Sequence, residues 1–167
     1  MKIFIHGLES SNQGTKAIFF RERFPDMVIP YFTGDLSERM DKLDGMLQGK
    51  SGITLVGSSF GGLMASLFAM ADESRADRLI LLAPAINYLD SSGYRTKRIS
   101  TPVRIYHGTK DDVIPLKAAE DAAEKYFSNL VFNRVDDDHF LHSTFETIDW
   151  AMLFEGEDGK TGCLNRE

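Results

Sequence analysis

The chain has 167 residues, of which 43% are hydrophobic and 26% charged, which predicts a single globular domain. Its formal net charge of −6 argues against nucleic acid or an anionic membrane as a partner, because both require a basic surface. The single cysteine, Cys163, excludes an internal disulfide framework and a thiolate metal cluster.

Six apolar segments along the chain have the length and composition of strands: 2–6, 27–29, 53–56, 79–82, 103–106 and 130–135. Segments with apolar residues at helical spacing lie between and after them: 15–24, 36–47, 63–71, 116–127 and 145–152. This alternation predicts a parallel sheet covered by helices on both faces. We expect one domain over residues 1–154, followed by a polar tail over residues 155–167.

The chain begins directly with an apolar strand, without the longer apolar region of a signal peptide. No later apolar run approaches the length of a membrane span. The sequence therefore predicts a cytoplasmic protein that is a monomer or a homodimer and has neither nucleic acid nor a membrane as a partner.

The stretch 53–71 organises the rest of the chain, because a strand passes directly into a helix there. Gly57 and Gly61 flank Ser59 at the turn in a Gly-x-Ser-x-Gly pattern, which is typical of a nucleophile held at a sharp strand-to-helix turn. A phosphate-binding loop would require a lysine that is absent, and a dinucleotide site would require a carboxylate after strand 79–82. A purely structural glycine turn remains the alternative at this point.

Other polar residues follow the strands that neighbour this turn. Asp111 and Asp112 come after strand 103–106, and His139 and His142 come after strand 130–135. The carboxyl ends of parallel strands meet at one edge of a sheet, so a serine, an acid and a histidine are expected to lie together. A serine hydroxyl becomes a good nucleophile when a base removes its proton and an anion orients that base.

Four motifs carry a resemblance to a known family: His6-Gly7, Gly57 to Gly61, His107-Gly108-Thr109-Lys110-Asp111 and Asp138-His139. With them the chain resembles the α/β-hydrolase superfamily, and within it the small lidless serine esterases of the YqiA-like type, over residues 1 to about 154. The resemblance implies a compact, lidless α/β-hydrolase fold with about six mostly parallel strands and helices on both faces.

The resemblance also implies roles for individual residues. Ser59 is the expected nucleophile and His139 the base, and the His-Gly-x-x-Asp pattern selects Asp111 over Asp112 as the orienting acid. His142 is the weaker candidate base and is expected inside the closing helix. His139 and His142 could also be metal ligands, but no third ligand is grouped with them.

Two backbone N–H groups are needed to stabilise the oxyanion. The resemblance assigns them to Phe60, which follows the nucleophile, and to Leu8, which follows His6-Gly7. The single glycine after His6 departs from the Gly-rich form of this loop in lipases. Candidate substrate-binding residues are His6, Tyr88 and Tyr94, the last two within a segment, 83–102, too short for a lid domain.

The implied function is a carboxylesterase-like serine hydrolase that acts on small or medium soluble esters without a metal or organic cofactor. A thioesterase or small peptidase on the same residues is an alternative, because the acyl-enzyme step is shared. A non-catalytic binding protein that retains the hydrolase fold is the other.

Overall fold

The computed structural model describes residues 1–155 and contains one sheet of five strands, all parallel, which lie in the sheet in chain order. The strands are β1 Lys2–Ile5, β2 Ile53–Ser58, β3 Ala76–Leu82, β4 Val103–Gly108 and β5 Leu130–Val135. The fold class predicted from the sequence is confirmed. The polar tail beyond Glu155 and the cysteine within it lie outside the described residues.

The predicted strand at 27–29 is reduced to a single bridge between Val28 and Ile3 at the outer edge of β1. The Val28 N–H donates to the Lys2 carbonyl, and the Phe4 N–H donates to the Val28 carbonyl. Pro30 follows two residues later and has no N–H with which to continue this ladder. The sheet therefore has five strands instead of about six.

In the described part of the chain five α-helices surround the sheet: α1 Thr15–Arg23, α2 Leu36–Leu47, α3 Phe60–Ala71, α4 Leu116–Tyr126 and α5 Trp150–Glu155. Short 3₁₀ turns occupy Glu73–Arg75, Ile86–Ser91 and Phe145–Thr147. The predicted closing helix over 145–152 is split, because Ile148 is in an extended conformation between the last 3₁₀ turn and α5.

The two faces of the sheet are packed with different kinds of side chain. On one face aliphatic residues such as Leu55 and Leu81 pack against α2, α3 and α4. On the other, Val56 and Ile80 pack against aromatic residues of α1 and the C-terminal region, where the rings of Phe20 and Trp150 are 4.7 Å apart, edge to face. With both faces covered, the carboxyl ends of the strands remain the accessible edge.

The connection between β3 and β4 contains only the 3₁₀ turn Ile86–Ser91 and irregular chain, so this connection forms no lid domain over that edge. Among residues 1–155, no helix is both long and apolar enough to cross a lipid bilayer.

Candidate active site

Ser59 occupies a strained turn between β2 and α3. Its φ of 53° and ψ of −116° lie in a region that L-residues rarely adopt. The flanking glycines permit this turn: a Cβ on Gly57 would lie 2.4 Å from the Gly61 carbonyl oxygen, and one on Gly61 would lie 2.0 Å from the Ile5 carbonyl oxygen. The Gly-x-Ser-x-Gly pattern therefore follows from backbone segments that approach each other closely.

His139 connects Ser59 to a carboxylate. Its Nε2 lies 3.1 Å from Ser59 Oγ, and its Nδ1 lies 2.8 Å from Asp111 Oδ2. An ionised carboxylate can only accept, so Nδ1 carries the ring proton and Nε2 is free to accept the serine proton. The ring is 9% exposed, which leaves it largely shielded from water.

Asp111 is held by its own loop. Its side chain is fully buried, and Oδ1 accepts hydrogen bonds from the N–H groups of Val113 and Ile114 at 2.9 and 2.8 Å. Asp112, its neighbour, is exposed. Of the two candidate acids, Asp111 is the one that contacts His139.

His107 lies behind Asp111, a contact that the sequence analysis did not identify. Its Nε2 is 2.9 Å from the Ile114 carbonyl oxygen and 3.3 Å from Asp111 Oδ2. Both oxygens are acceptors, so Nε2 carries the ring proton and can donate a hydrogen bond to either of them. Burial lowers the pKa of His107 and favours the neutral ring. The alternation that buries Val103 and Ile105 on β4 also buries His107, and this was the available sequence signal.

The loop after β5 is organised around Asp137, another residue that the sequence analysis did not single out. Its Oδ2 accepts from the N–H groups of Ser143 and Thr144, and its Oδ1 accepts from the N–H of Asp138. Burial acts to raise the pKa of Asp137, but a hydrogen bond from the Thr144 side chain, together with those from the three backbone N–H groups, outweighs it, and the pKa lies below its usual range. A buried carboxylate thus shapes the loop that carries His139.

His142 is not in the closing helix, contrary to expectation. It lies in an exposed turn before the 3₁₀ turn Phe145–Thr147, where its Nδ1 is 2.7 Å from Asp138 Oδ2. In this turn the Ser143 and Thr144 N–H groups donate to the Asp137 carboxylate, and the N–H groups of Thr144 and Phe145 donate to the Leu141 carbonyl. His142 thus contacts Asp138 at the surface while His139 contacts the serine.

The loop after β1, from Gly7 to Ser10, contains Leu8, one of the two expected oxyanion donors, and is named the oxyanion loop for that expectation. His6 Nε2 accepts from the Phe32 N–H at 3.0 Å, so Nδ1 carries the proton and donates to the Gly7 carbonyl at 2.7 Å. The peptide is trans, so the Leu8 N–H points away from that carbonyl. Burial lowers the pKa of His6, despite its bond to Gly7, and favours the neutral ring.

The N–H groups of Leu8 and Phe60, the two expected oxyanion donors, make no hydrogen bond to another residue within 1–155. Phe60 is the first residue of α3, so its N–H has no partner within the helix. Both groups are available to a ligand.

A cavity of about 580 Å³ contains Ser59 and His139. Its lining includes four apolar residues that are half-exposed or more, Leu8, Tyr88, Val113 and Phe140, and also exposed polar residues such as Glu9 and Glu146. His6 also lines the cavity. Of the predicted substrate-binding residues, Tyr94 is the one outside this lining, because it follows a turn at Gly93, whose φ is +80°, and its N–H donates to Ser92 Oγ.

Within residues 1–155 there is no group of three His, Cys, Asp or Glu side chains that could hold a metal ion.

The fold is similar to that of several solved structures. Alpha/beta hydrolase domain-containing protein 10 from mouse superposes with a TM-score of 0.71 at 19% identity, covering 84% of this chain and 82% of that one. The ferulic acid-bound Est1E of Butyrivibrio proteoclasticus gives 0.69 at 17% identity, with coverage of 87% and 83%. A monoacylglycerol lipase from Paleococcus ferrophilus gives 0.66 at 13%, with coverage of 83% and 85%. At these identities the likeness establishes an α/β-hydrolase fold.

No curated protein sequence matches this chain. One family model does: it matches residues 1–125, a region that contains Ser59 and Asp111 but ends before His139. Because the match extends over most of the chain, the protein belongs to the uncharacterised protein family UPF0227.

Proposed function

We propose that this chain is a serine hydrolase that cleaves carboxylic esters through an acyl-enzyme on Ser59. The observation that carries the proposal is the continuous hydrogen-bonded chain from Asp111 through His139 to Ser59, which ends in an open cavity. This arrangement supplies the base and the orienting anion that a serine needs to become a nucleophile.

The reaction follows from the positions of the protons. Ser59 Oγ attacks the ester carbonyl as His139 Nε2 takes its proton, and Asp111 stabilises the imidazolium that forms. His139 then gives this proton to the leaving alcohol as the C–O bond breaks. A water molecule attacks the acyl-serine, transfers a proton through His139 to Ser59, and releases the carboxylic acid.

The negative charge that develops on the carbonyl oxygen requires donors that are already in place. The unpaired N–H groups of Leu8 and Phe60 are the proposed pair. The Phe60 N–H also lies at the N-terminus of α3, where the helix dipole favours a negative charge.

The cavity supports a preference for small or medium esters. Its lining includes exposed apolar side chains, Leu8, Tyr88, Val113 and Phe140, which suit the apolar part of an acyl group or alcohol. Within the described part of the chain, the segment between β3 and β4 forms no lid domain that could shelter a long lipid from water. The lipase named among the structural neighbours agrees with ester cleavage as the reaction class.

The test is intact-mass spectrometry after reaction with a fluorophosphonate. Wild type and the control Ser58→Ala should each gain one adduct, and Ser59→Ala should gain none. Ester hydrolysis by Ser59→Ala should fall by at least about 10⁴-fold in kcat, because the nucleophile is lost. A folded wild type that forms no adduct would overturn the proposal in favour of a non-catalytic binding protein.

The substrate class is tested with substrates that share one acyl group. An oxygen ester should be cleaved with a higher kcat/KM than the matched thioester and the matched amide. Among p-nitrophenyl esters, acyl chains shorter than about twelve carbons should be preferred, because the site is short and open. Preference for the thioester or the amide would assign a thioesterase or a peptidase.

A further inference from the structure

Arg39 is a buried cation beneath the oxyanion loop that the proposed mechanism does not use. It lies on α2 and is 4% exposed. Within residues 1–155 no carboxylate forms a salt bridge with it, and its Nη1 is buried without a hydrogen-bond partner. A buried guanidinium with no counter-ion lowers the stability of the fold. The presence of Arg39 at this position is therefore better explained by a contribution to function.

The contacts of Arg39 lead to the oxyanion hole. Its Nη2 donates to the Leu8 carbonyl at 3.3 Å, and its guanidinium lies 5.5 Å from the centre of the Phe60 ring. Leu8 and Phe60 are the two residues whose N–H groups are the proposed oxyanion donors. Its Nε donates to the Gly34 carbonyl at 2.9 Å, which fixes the guanidinium beside the start of α2.

We propose that Arg39 is a positioning residue for the oxyanion hole: it fixes the peptide planes around Leu8 and places a permanent positive charge beside the two donors. This inference rests on the proposed function.

The carbonyl oxygens of two consecutive residues in the oxyanion loop, Gly7 and Leu8, each accept a hydrogen bond from a buried side chain. The Gly7 carbonyl accepts from His6, and the Leu8 carbonyl accepts from Arg39. The peptide planes on both sides of the Leu8 Cα are thereby held. The Leu8 side chain is 52% exposed and does not anchor the loop in the core. Without Arg39, the Leu8 carbonyl would lose this bond, and the loop would keep only those that the Gly7 carbonyl accepts from His6 and from the Ser10 N–H.

The charge contributes in addition to the geometry. A guanidinium stays protonated, and in a site shielded from water its field acts on a developing oxyanion more strongly than it would in solvent. Its positive charge also disfavours a second proton on His6, which preserves the neutral ring whose Nδ1–H holds the Gly7 carbonyl.

The start of α2, which carries Arg39, is held in place by its own hydrogen bonds. The first turn of α2 begins with a capping box, in which the Asp35 carboxylate accepts from the Glu38 N–H and the Glu38 carboxylate accepts from the Asp35 N–H. Arg39 follows directly, so its backbone is held where the side chain can reach both Gly34 and Leu8.

The chain provides a matched control in Arg75. This arginine also donates to two backbone carbonyls, those of Leu47 and Lys50, and its guanidinium lies 4.6 Å from the centre of the Phe68 ring. It is located near the start of β2, at the opposite edge of the sheet from Ser59. Replacing Arg75 removes the same kinds of contact far from the oxyanion hole.

The experiment compares Arg39→Gln and Arg39→Lys with Arg75→Gln and Arg75→Lys in hydrolysis of a short p-nitrophenyl ester. We expect kcat to fall about tenfold in Arg39→Gln, which loses charge and geometry, and about threefold in Arg39→Lys, which keeps the charge. KM should stay within about twofold in both, because the contact acts on the transition state. Both Arg75 variants should retain the wild-type kcat.

A trifluoromethyl ketone, which forms a tetrahedral oxyanion with the serine, provides a second readout. Its affinity should fall with kcat across the Arg39 variants and stay constant across the Arg75 variants. The inference would be overturned if the Arg39 variants and the Arg75 variants had the same kcat and the same inhibitor affinity, with equal folded fractions by circular dichroism. If Arg39→Gln does not fold, kcat and inhibitor affinity are compared between Arg39→Lys and Arg75→Lys, and the same criterion applies.

The two proposals fail in different ways. A wild type that does not react with the fluorophosphonate removes the proposed hydrolase activity and the Arg39 inference with it. A reactive wild type whose kcat does not depend on Arg39 removes the Arg39 inference alone.

Discussion

The turn at Ser59 and the oxyanion loop both line the cavity of the proposed active site, but they are held by different forces. The turn is fixed by backbone against backbone, where a Cβ on Gly61 would meet the Ile5 carbonyl. The oxyanion loop lies at the surface, with Leu8 half-exposed, and is held by hydrogen bonds from His6 and Arg39. Changes in the turn should therefore affect folding, and changes in the loop should affect mainly the reaction rate.

Gly61→Ala is the strongest test of the turn. The added Cβ would lie 2.0 Å from a strand carbonyl oxygen, and no side-chain rotation can relieve that contact. We expect the free energy of unfolding in urea to fall by about 3 kcal/mol or more. Gly45 lies on the exposed face of α2, where an added Cβ would meet no neighbouring side chain or loop within 4 Å. Gly45→Ala should therefore raise the free energy of unfolding by up to about 1 kcal/mol. Equal stability of the two variants would contradict a turn held by close packing.

Leu8→Pro tests the oxyanion loop. Proline removes the N–H that is proposed to bind the oxyanion, and this N–H makes no other hydrogen bond within residues 1–155. We expect kcat to fall by about 10²–10³-fold. Because the residue is exposed, the unfolding midpoint in urea should remain close to that of wild type.

Leu8→Ala is the control for this variant, because it keeps the N–H and removes most of the side chain. Its kcat should stay within a few-fold of wild type. If Leu8→Pro kept both the fold and the full rate, the second oxyanion donor would have to be another group.

Acid should weaken the fold through the same loop. The pKa of His6 is lowered from 6.5 in the folded chain, so below about pH 6.5 the unfolded state binds more protons than the folded state. The free energy of unfolding should therefore decrease as the pH falls from about 7.5 to about 5.5. Burial of His107 acts in the same direction.

His6→Gln and His107→Gln should each reduce this loss on acidification, by up to about 1 kcal/mol. Urea denaturation of the three proteins at both pH values measures the effect. If the free energy of unfolding of both variants decreased between these pH values as much as that of wild type, the His6 and His107 rings would not be the cause of the loss of stability in acid.

Much of the fold and part of the candidate site could be predicted because the relevant patterns are local. Apolar runs predicted all five strands, and the glycine spacing around Ser59 predicted the turn, since both depend on neighbouring residues. The same local evidence overestimated segment 27–29, where Pro30 ends the pairing after one bridge. The choice of Asp111 over Asp112 relied on the family pattern and agrees with the contact that Asp111 makes with His139.

Residue order was enough to specify a parallel α/β sheet and to bring a serine, an acid and a histidine to one edge, because strand ends in such a sheet share that edge. Tertiary structure alone decided which side chains support them. His6 meets Phe32, Arg39 meets Leu8 and His107 meets Asp111 only after the connecting loops have taken their paths. The alternation along β4 indicates that His107 is buried but not which group it contacts. The partners of all three side chains depend on loop geometry, which has no period in the sequence.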